Sequence, residues 1–422
     1  MSSLLSFGDK LQEILSRRGA QLAKILSAKG SETEARMSKA GDTVRKNAEK
    51  AAENVKSEQQ ARTEGDKKKT NDAAKKSQAP QGKKQSPKQP CKKCGERDEP
   101  QWRYYKLGNP NGGGYVIKGS EINSLRNYSR WNDLFNAKDS KGRPLKTVHE
   151  KKVMCAVSGS EGFFDTVQTY DSEVATVGAM QKTLKIGGGG EFKNQLEEFK
   201  EESPKKYHEL FESKGWSIVE REIITKKGTT VKDTTLQYKD PSDRSMKPLS
   251  GEELKAWLNR KEEPVPNNIK KAMEVLRDAG RDPAFQEKQV MDFNARLLRA
   301  LNKKPEGYSH PTKKYLTSEK GRAMVLDTSV NAGESGANKA FGQVLDKFYK
   351  RHPDASQDPS LWPSEKKQSY EYEILEIFQE KRMKIYKNGK TLVTKPDKRN
   401  AAIMGNNELS GIIGSMLLPE DF

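Results

Sequence analysis

The sequence has few cysteines, few aromatic residues and no long hydrophobic run. Three cysteines among 422 residues are too few for a disulfide scaffold, which fits folding in a reducing cytosol. No segment approaches the roughly 20 consecutive apolar residues of a transmembrane helix, so no transmembrane segment is expected. Asp9, Lys10 and Glu13 interrupt the apolar residues of the N-terminus, which therefore lacks the apolar segment of a secretory signal. We expect synthesis in the cytoplasm without a signal peptide.

Apolar residues are too scarce for the whole chain to share packed cores. Hydrophobic residues make up 32% of the sequence, and the mean hydropathy is −0.96. No Phe, Trp or Tyr occurs from Gly8 to Gln101. Residues 31–100 are therefore predicted to form a disordered basic linker. Residues 1–100 contain 23 Lys and Arg against 14 Asp and Glu, which accounts for +9 of the formal net charge of +19.

The first residues differ in pattern from the linker that follows them. Leu4, Leu11 and Ile25 share one heptad series, which predicts an imperfect amphipathic helix within residues 1–30. We interpret it as a docking or targeting element for a protein partner. The alternatives are packing on its own domain, on a second copy of itself or on a membrane surface.

Cys91 and Cys94 have the spacing of half a zinc site. A closed structural site needs four ligands. Cys155 and the four histidines contain no matching pair, so no metal site and no cofactor is predicted. The pair has two other interpretations: it binds zinc together with ligands from a second molecule, or it consists of plain thiols without a metal.

Residues 101–422 are predicted to form one mainly α (α+β) domain. Two short strands are expected within 104–119, and a β-hairpin over 220–240 interrupts the helices. Ser250 and Glu253 have the spacing of a capping box. The predicted helices cover roughly 119–137, 147–160, 192–213, 250–260, 266–280, 284–303, 318–331, 334–351 and 364–386.

The segment 155–192 contains the residues that are best placed for chemistry. A helical run from about Thr147 stops at residues 158–160, and Glu161 follows at once. The negative end of the helix dipole and desolvation by Phe163 and Phe164 would both raise the pKa of this carboxyl. A carboxylic acid that stays protonated is what glycosidic cleavage needs, because the leaving oxygen takes up a proton.

Polar residues that suit a catalytic partner follow Glu161. Asp171, about ten residues later, would activate water or stabilise an oxocarbenium-like transition state, and Glu173 is the alternative second carboxylate. Thr176 would position the water, and Gln181 would bind sugar hydroxyls or amides. Gly178 would let the strand approach the substrate closely.

This pattern resembles the active-site hairpin of the lysozyme-like superfamily, in particular phage-type lysozymes and chitosanase-like muramidases. It consists of Glu161, Thr169-Tyr170-Asp171 and Thr176-Val177-Gly178-Ala179-Met180-Gln181. Those enzymes place a Glu at a helix end, then an Asp, a Ser or Thr and a closing Gly-x-x-Gln. The resemblance implies catalysis by Glu161, Asp171 and Thr176, and substrate binding by Tyr170, Gly178 and Gln181.

The same resemblance implies a lysozyme-like helical domain with a small β-hairpin at the active site. It also implies hydrolysis of β-1,4 links in peptidoglycan or a related amino-sugar polymer. Chitosanase activity and lytic transglycosylation remain alternatives. Without a signal peptide, such an enzyme would reach the cell wall or periplasm as a bacteriolytic protein of a phage or a contractile injection system.

A second interpretation assigns the chain to a different functional class, that of non-catalytic binding proteins. A non-catalytic wall-binding or cargo protein of a phage tail or injection machine would use residues 1–30 for docking. Nucleic acid is not an expected partner, because the basic segment has no aromatic residues for stacking and no reader motif occurs. Asp327, within the segment LDTSVNAG, has two interpretations: a polar residue near the expected substrate cleft, or a residue of the core or of a helix cap.

Overall fold

The structure is a computed structural model that describes residues 102–106, 113–170, 172–224, 230–260, 262, 264–384, 386–387, 390–391 and 395–421. The predicted docking helix, the basic linker, Cys91 and Cys94 lie outside these residues, as does Asp171.

The described part of the chain is mainly helical with some β-sheet, which confirms the predicted class. Its helices are α1 (Trp131–Asn136), α2 (Val148–Ser158), α3 (Glu191–Glu202), α4 (Pro204–Leu210), α5 (Gly251–Asn259), α6 (Asn267–Ala279), α7 (Pro283–Asn302), α8 (Thr312–Tyr315), α9 (Glu319–Arg351), α10 (Ser364–Lys384) and α11 (Pro396–Met404). Short 3-10 turns lie at Glu121–Asn123, Leu125–Asn127, Glu212–Lys214, Pro359–Leu361 and Pro419–Asp421.

The strands among the described residues form three antiparallel sheets. They are β1 (Trp102–Lys106), β2 (Gly113–Ile117), β3 (Val167–Gln168), β4 (Ala175–Val177), β5 (Lys182–Leu184), β6 (Trp216–Ile224), β7 (Thr230–Tyr238), β8 (Leu249–Ser250), β9 (Tyr386–Lys387) and β10 (Lys390–Thr391). Strands β1 to β5 pair in chain order, β6 to β8 form a second sheet, and β9 pairs with β10. The hairpin predicted over 220–240 is β6 and β7, which begins four residues earlier than predicted.

Most predicted helices are present, with two informative differences. The prediction of a single helix over 119–137 is wrong for its first half. Two 3-10 turns occupy that part of the chain, and the short α1 follows them. The helix predicted over 192–213 is divided, because Pro204 begins α4 directly after α3 ends. The interruption predicted between 331 and 334 is confirmed: Gly333 has non-helical angles (φ 73°, ψ 163°) inside α9.

The side chains pack into two hydrophobic cores. One core is helical and includes Val153 and Met154 of α2, Leu326 of α9 and Phe378 of α10. The other core packs the first two sheets against α3 to α6. Helix α7 contributes to both, with Phe285 in the second core and most of its later apolar residues in the first. The segment between α2 and β5, which contains Glu161, contributes to both cores: Phe164, Ala179 and Met180 pack in the helical core, and Val167 and Val177 pack in the sheet core.

None of the helices in the described residues combines the length and the apolar composition that crossing a bilayer requires.

Candidate functional site

Glu161 lies in the turn that follows α2. A capping box begins this helix: the Thr147 hydroxyl accepts a hydrogen bond from the Glu150 amide, and the Glu150 carboxylate accepts one from the Thr147 amide. At the other end, the Glu161 amide donates to the Ser158 carbonyl over 3.0 Å. The helix is thus fixed at its start, and Glu161 follows its end as predicted.

The loop after Glu161 is anchored by buried polar groups. The Asp165 carboxylate is fully buried and accepts hydrogen bonds from the Ser120 amide (3.0 Å), the Asn123 side chain (2.9 Å) and Arg281 Nε (2.9 Å). A buried carboxylate with three donors is strongly held, so this loop has a defined position beside α2.

Gln289 of α7 joins this loop to the β4–β5 hairpin. Its Nε2 donates to the Phe164 carbonyl (3.1 Å), and its Oε1 accepts from the Ala179 amide (3.0 Å). A Cβ on Gly178 would lie 2.3 Å from Gln289 Oε1, and Gly178 has a φ of +84°. Glycine at this position is therefore explained by packing, and its predicted approach to a substrate stays a prediction.

The side chain of Gln181 lies next to Gly162, the residue that follows Glu161. Its Nε2 donates to the Gly178 carbonyl (2.7 Å) and would be 2.8 Å from a Cβ added to Gly162. Gln181 also has a φ of +49°, which is uncommon for a residue other than glycine. The hairpin thus brings this predicted substrate-binding side chain to the Glu161 turn.

The remaining predicted site residues lie along the same hairpin. Thr176 is buried in β4, and its hydroxyl accepts a hydrogen bond from Gln168 Nε2 (3.1 Å). Tyr170, the second residue after β3, is half-buried. The Glu173 carboxylate accepts a hydrogen bond from the Ile186 amide (3.1 Å), so it stabilises the end of the hairpin. Asp171 lies outside the described residues.

Glu161 is held by two side chains from distant parts of the chain. Its Oε1 accepts hydrogen bonds from Arg399 Nη1 of α11 (2.7 Å) and from Asn331 Nδ2 of α9 (3.1 Å). The side chains of Glu161 and Arg399 are only 10% and 11% exposed. An ion pair shielded to this degree is strong, but each of its charges has also lost hydration.

Asp327 completes a chain of four charged groups. It is 1% exposed and contacts Arg399 Nη1 over 2.7 Å on one side and Arg382 Nη2 on the other. Asp327 and Asn331 lie four residues apart on the same face of α9. The order of contacts is therefore Arg382, Asp327, Arg399 and Glu161.

Burial raises the pKa of Glu161 above its ordinary value. The charge and hydrogen bond of Arg399 and the hydrogen bond of Asn331 lower this pKa, while the charge of Asp327 raises it; the net direction is upward. Asp327 partly neutralises Arg399. Arg399 can therefore hold the Glu161 carboxyl in place without forcing it to remain ionised.

Comparison of the chain with protein-family models, curated proteins and solved structures found no match. We therefore infer a function from the site itself: a carboxyl that is 10% exposed just after a helix end, with a raised pKa, beside the β4–β5 hairpin. Such a perturbed acid is a recognised feature of catalytic sites.

The sequence alone points to Glu161 and Asp327 but not to the three side chains that contact them, Asn331, Arg382 and Arg399. A signal was present for Arg382, which follows the buried Phe378 by one helical turn and so places a charge on the apolar face of α10. The local sequence around Arg399 gave no comparable signal.

Proposed function

We propose that this chain is a glycoside hydrolase that cleaves β-1,4 links of peptidoglycan or a related amino-sugar polymer on a lysozyme-like domain. The observation that carries the proposal is the buried Glu161 carboxyl, whose pKa is raised and whose Oε1 is fixed by two donors. Glu161 is the general acid. Its proton passes to the glycosidic oxygen as the bond breaks, a contribution of about 10²–10⁴-fold in rate.

Asp171 is the proposed partner of Glu161. It lies between β3 and β4 in the chain and would activate water or stabilise the oxocarbenium-like transition state. Glu173 is less suited to this role, because its carboxylate binds the Ile186 amide. Thr176 and Gln181 would position water and substrate, with Tyr170 and Gly178 beside them.

The proposed site of action is the bacterial cell wall. The proposed route is delivery by a phage or a contractile injection system, with residues 1–30 as the docking element for a carrier protein. Co-purification of a tagged carrier with the full chain, but not with a chain that lacks residues 1–30, would support this route.

Substitution of Glu161 by Gln tests the catalytic proposal. Gln keeps an oxygen that can accept hydrogen bonds from Arg399 and Asn331, but its amide has no acidic proton to transfer to the glycosidic oxygen. We expect at least about a 10²-fold lower release of muropeptides from purified sacculi, measured by mass spectrometry. The products also distinguish hydrolysis from transglycosylation, which leaves anhydro ends one water lighter.

The control for this test is Glu408→Gln, which removes an exposed carboxylate paired with Arg126. Its release of muropeptides should match that of the wild type. Release by Glu161→Gln at the wild-type rate would contradict the proposal.

One contact favours the second candidate, a non-catalytic wall-binding protein: Arg399 Nη1 lies 2.7 Å from Glu161 Oε1, and a Glu161 that stayed ionised in this pair would have no proton to donate. Pelleting of the wild type with sacculi, without any release of reducing ends, would support that candidate.

A further inference from the structure

A cavity of about 330 Å³ lies between the β4–β5 hairpin, α3, α7 and the part of α9 that follows Gly333. This volume is within the range of pockets that bind small ligands. None of the described residues assigned to catalysis or substrate binding lines it. Its walls are mostly charged, and Met180 and Ala295 are the principal apolar residues among them.

The cavity shares two elements with the Glu161 site. Met180 lines the cavity and directly precedes Gln181, whose side chain lies at Gly162 beside Glu161. Glu334 lines the cavity just after the break in α9, and Asn331, which donates to Glu161, lies just before it. The Glu161 site and the cavity are therefore neighbours along both the β4–β5 hairpin and α9.

The floor of the cavity is a buried charge network. Lys182 Nζ contacts Asp292 Oδ2 over 2.5 Å, and Arg296 Nη1 contacts Glu191 Oε1 over 2.5 Å. The side chains of Lys182, Asp292 and Arg296 are between 8% and 11% exposed. Removing so many charges from water is unfavourable unless each is paired, so the network holds the floor in one arrangement.

The rim of the cavity offers both signs of charge to solvent. Arg299 Nε contacts Glu334 Oε1 over 2.8 Å, and the Arg299 side chain is 56% exposed. Glu191 exposes a carboxylate on the opposite wall, formed by α3. A neutral sugar ring would desolvate these groups without supplying a charge in return. A short peptide with a free carboxylate and a free ammonium group would supply both.

We propose that this cavity binds the stem peptide of peptidoglycan, with the peptide carboxylate at Arg299 and its ammonium group at Glu191 and Glu334. This inference rests on the proposed function and specifies its substrate: a peptide-bearing wall glycan rather than unbranched chitosan or chitin. Arg299 is then a specificity residue that touches the branch and not the scissile bond.

The test compares sacculi with the same glycan strands after an amidase has removed their stem peptides. We expect the wild type to cleave the stem-bearing glycan at least about tenfold faster. Arg299→Ala should lower that rate about tenfold, because it removes one charge-assisted hydrogen bond to the stem peptide. For this variant the rates on stem-bearing and stripped strands should therefore become nearly equal. Arg126→Ala is the matched control, because Arg126 is 52% exposed and pairs with Glu408 away from the cavity.

A binding measurement separates this inference from the catalytic proposal. The full-length Glu161→Gln chain is titrated with a disaccharide tetrapeptide and with the same disaccharide without its peptide. Tighter binding of the peptide form, weakened by Arg299→Ala, supports the cavity assignment even if the wild type cleaves nothing. Equal binding of both forms, or equal cleavage of intact and stripped glycan, overturns the assignment and leaves the role of Glu161 standing.

Discussion

The two oxygens of Glu161 have different surroundings. Oε1 accepts from Arg399 and Asn331, whereas Oε2 receives no hydrogen bond from the residues that the structure describes. A proton on Oε2 therefore leaves both hydrogen bonds to Oε1 intact. In the proposed reaction, the proton would pass to the glycosidic oxygen without reorganisation of the groups that hold the carboxyl.

Replacement of Arg399 should change the pH dependence of activity. Its charge and hydrogen bond lower the pKa of Glu161, so Arg399→Gln should raise this pKa further. The acid form would then persist to higher pH, and the alkaline limb of the rate profile should move to higher pH. Initial rates on sacculi, normalised to each variant's maximum, measure the shift. Arg126→Gln should not shift the limb, and a shift of the Arg399 variant to lower pH would contradict the assigned contacts.

Asp327 should matter more for stability than an exposed carboxylate does. It is the carboxylate between the buried guanidinium groups of Arg382 and Arg399. Asp327→Asn leaves both charges poorly compensated, so we expect a loss of about 3–5 kcal/mol in the free energy of unfolding. Urea titration measures it. Glu408→Gln breaks an exposed pair and should lose no more than about 1 kcal/mol. Equal losses in the two variants would count against a buried network.

At the residue scale, only part of the site could be predicted. Glu161 follows a local signal, the end of a helical pattern, and Asp327 is a polar residue within an apolar helix. Arg399 lies 238 residues from Glu161 in the chain, and their contact depends on how α11 packs against the helical core. No local pattern encodes a contact over that separation.

At the scale of elements, the break in α9 has a defined cause. Gly333 combines a φ of 73° with a ψ of 163°, a region essentially restricted to glycine, and nothing lies within 4 Å of a Cβ added there. The break lies between Asn331, which binds Glu161, and Glu334, which lines the charged cavity. One glycine thus sets the relative direction of two functional side chains.

Gly333→Ala should therefore destabilise the fold through backbone strain alone. We expect a loss of about 1–3 kcal/mol in the free energy of unfolding, since alanine disfavours these angles. Gly187→Ala is the control, because its added Cβ also meets nothing within 4 Å and its φ is not in the left-handed region. Denaturant unfolding of both variants decides the point. If Gly333→Ala left the free energy of unfolding unchanged, α9 would be able to straighten at residue 333 without strain.

Local sequence patterns predicted elements better than their caps. The spacing of Ser250 and Glu253 predicts a capping box, but the Ser250 side chain makes no cap hydrogen bond, and this residue pairs with Gln237 in β8. The same spacing at Thr147 and Glu150 does form the complete box. The two segments share the Ser/Thr-x-x-Glu spacing. They differ in that Ser250 is also paired in a sheet, and this tertiary contact accompanies the loss of its cap hydrogen bond.

At the scale of the whole molecule, helix α7 joins the two cores. Its first turn packs Phe285 among the sheets, and its later turns pack Phe293 and Leu297 in the helical core. Gln289, between them, holds both the Glu161 loop and the hairpin. The mainly helical class follows from composition and periodicity. The division into two cores does not, because it depends on which apolar faces meet.

The net charge of +19 belongs to the whole chain and predicts how it should approach a polymer. Peptidoglycan with its teichoic or phospholipid neighbours is polyanionic, so attraction should concentrate the protein at the wall. Salt screens this attraction, since the Debye length falls from about 10 Å at 0.1 M to about 3 Å at 1 M. We expect the fraction that pellets with sacculi to fall severalfold over that range.

A cationic polymer supplies the opposite test of the same physics. Chitosan repels a basic protein at low salt, so screening should increase the fraction of the chain that pellets with chitosan beads. Opposite salt dependences for sacculi and chitosan would show that net charge governs the encounter with the polymer. If salt changed the pelleted fraction in the same direction for both polymers, the binding would be assigned to short-range contacts, such as those at the charged cavity. The excess of lysine and arginine would then have no role in reaching the wall.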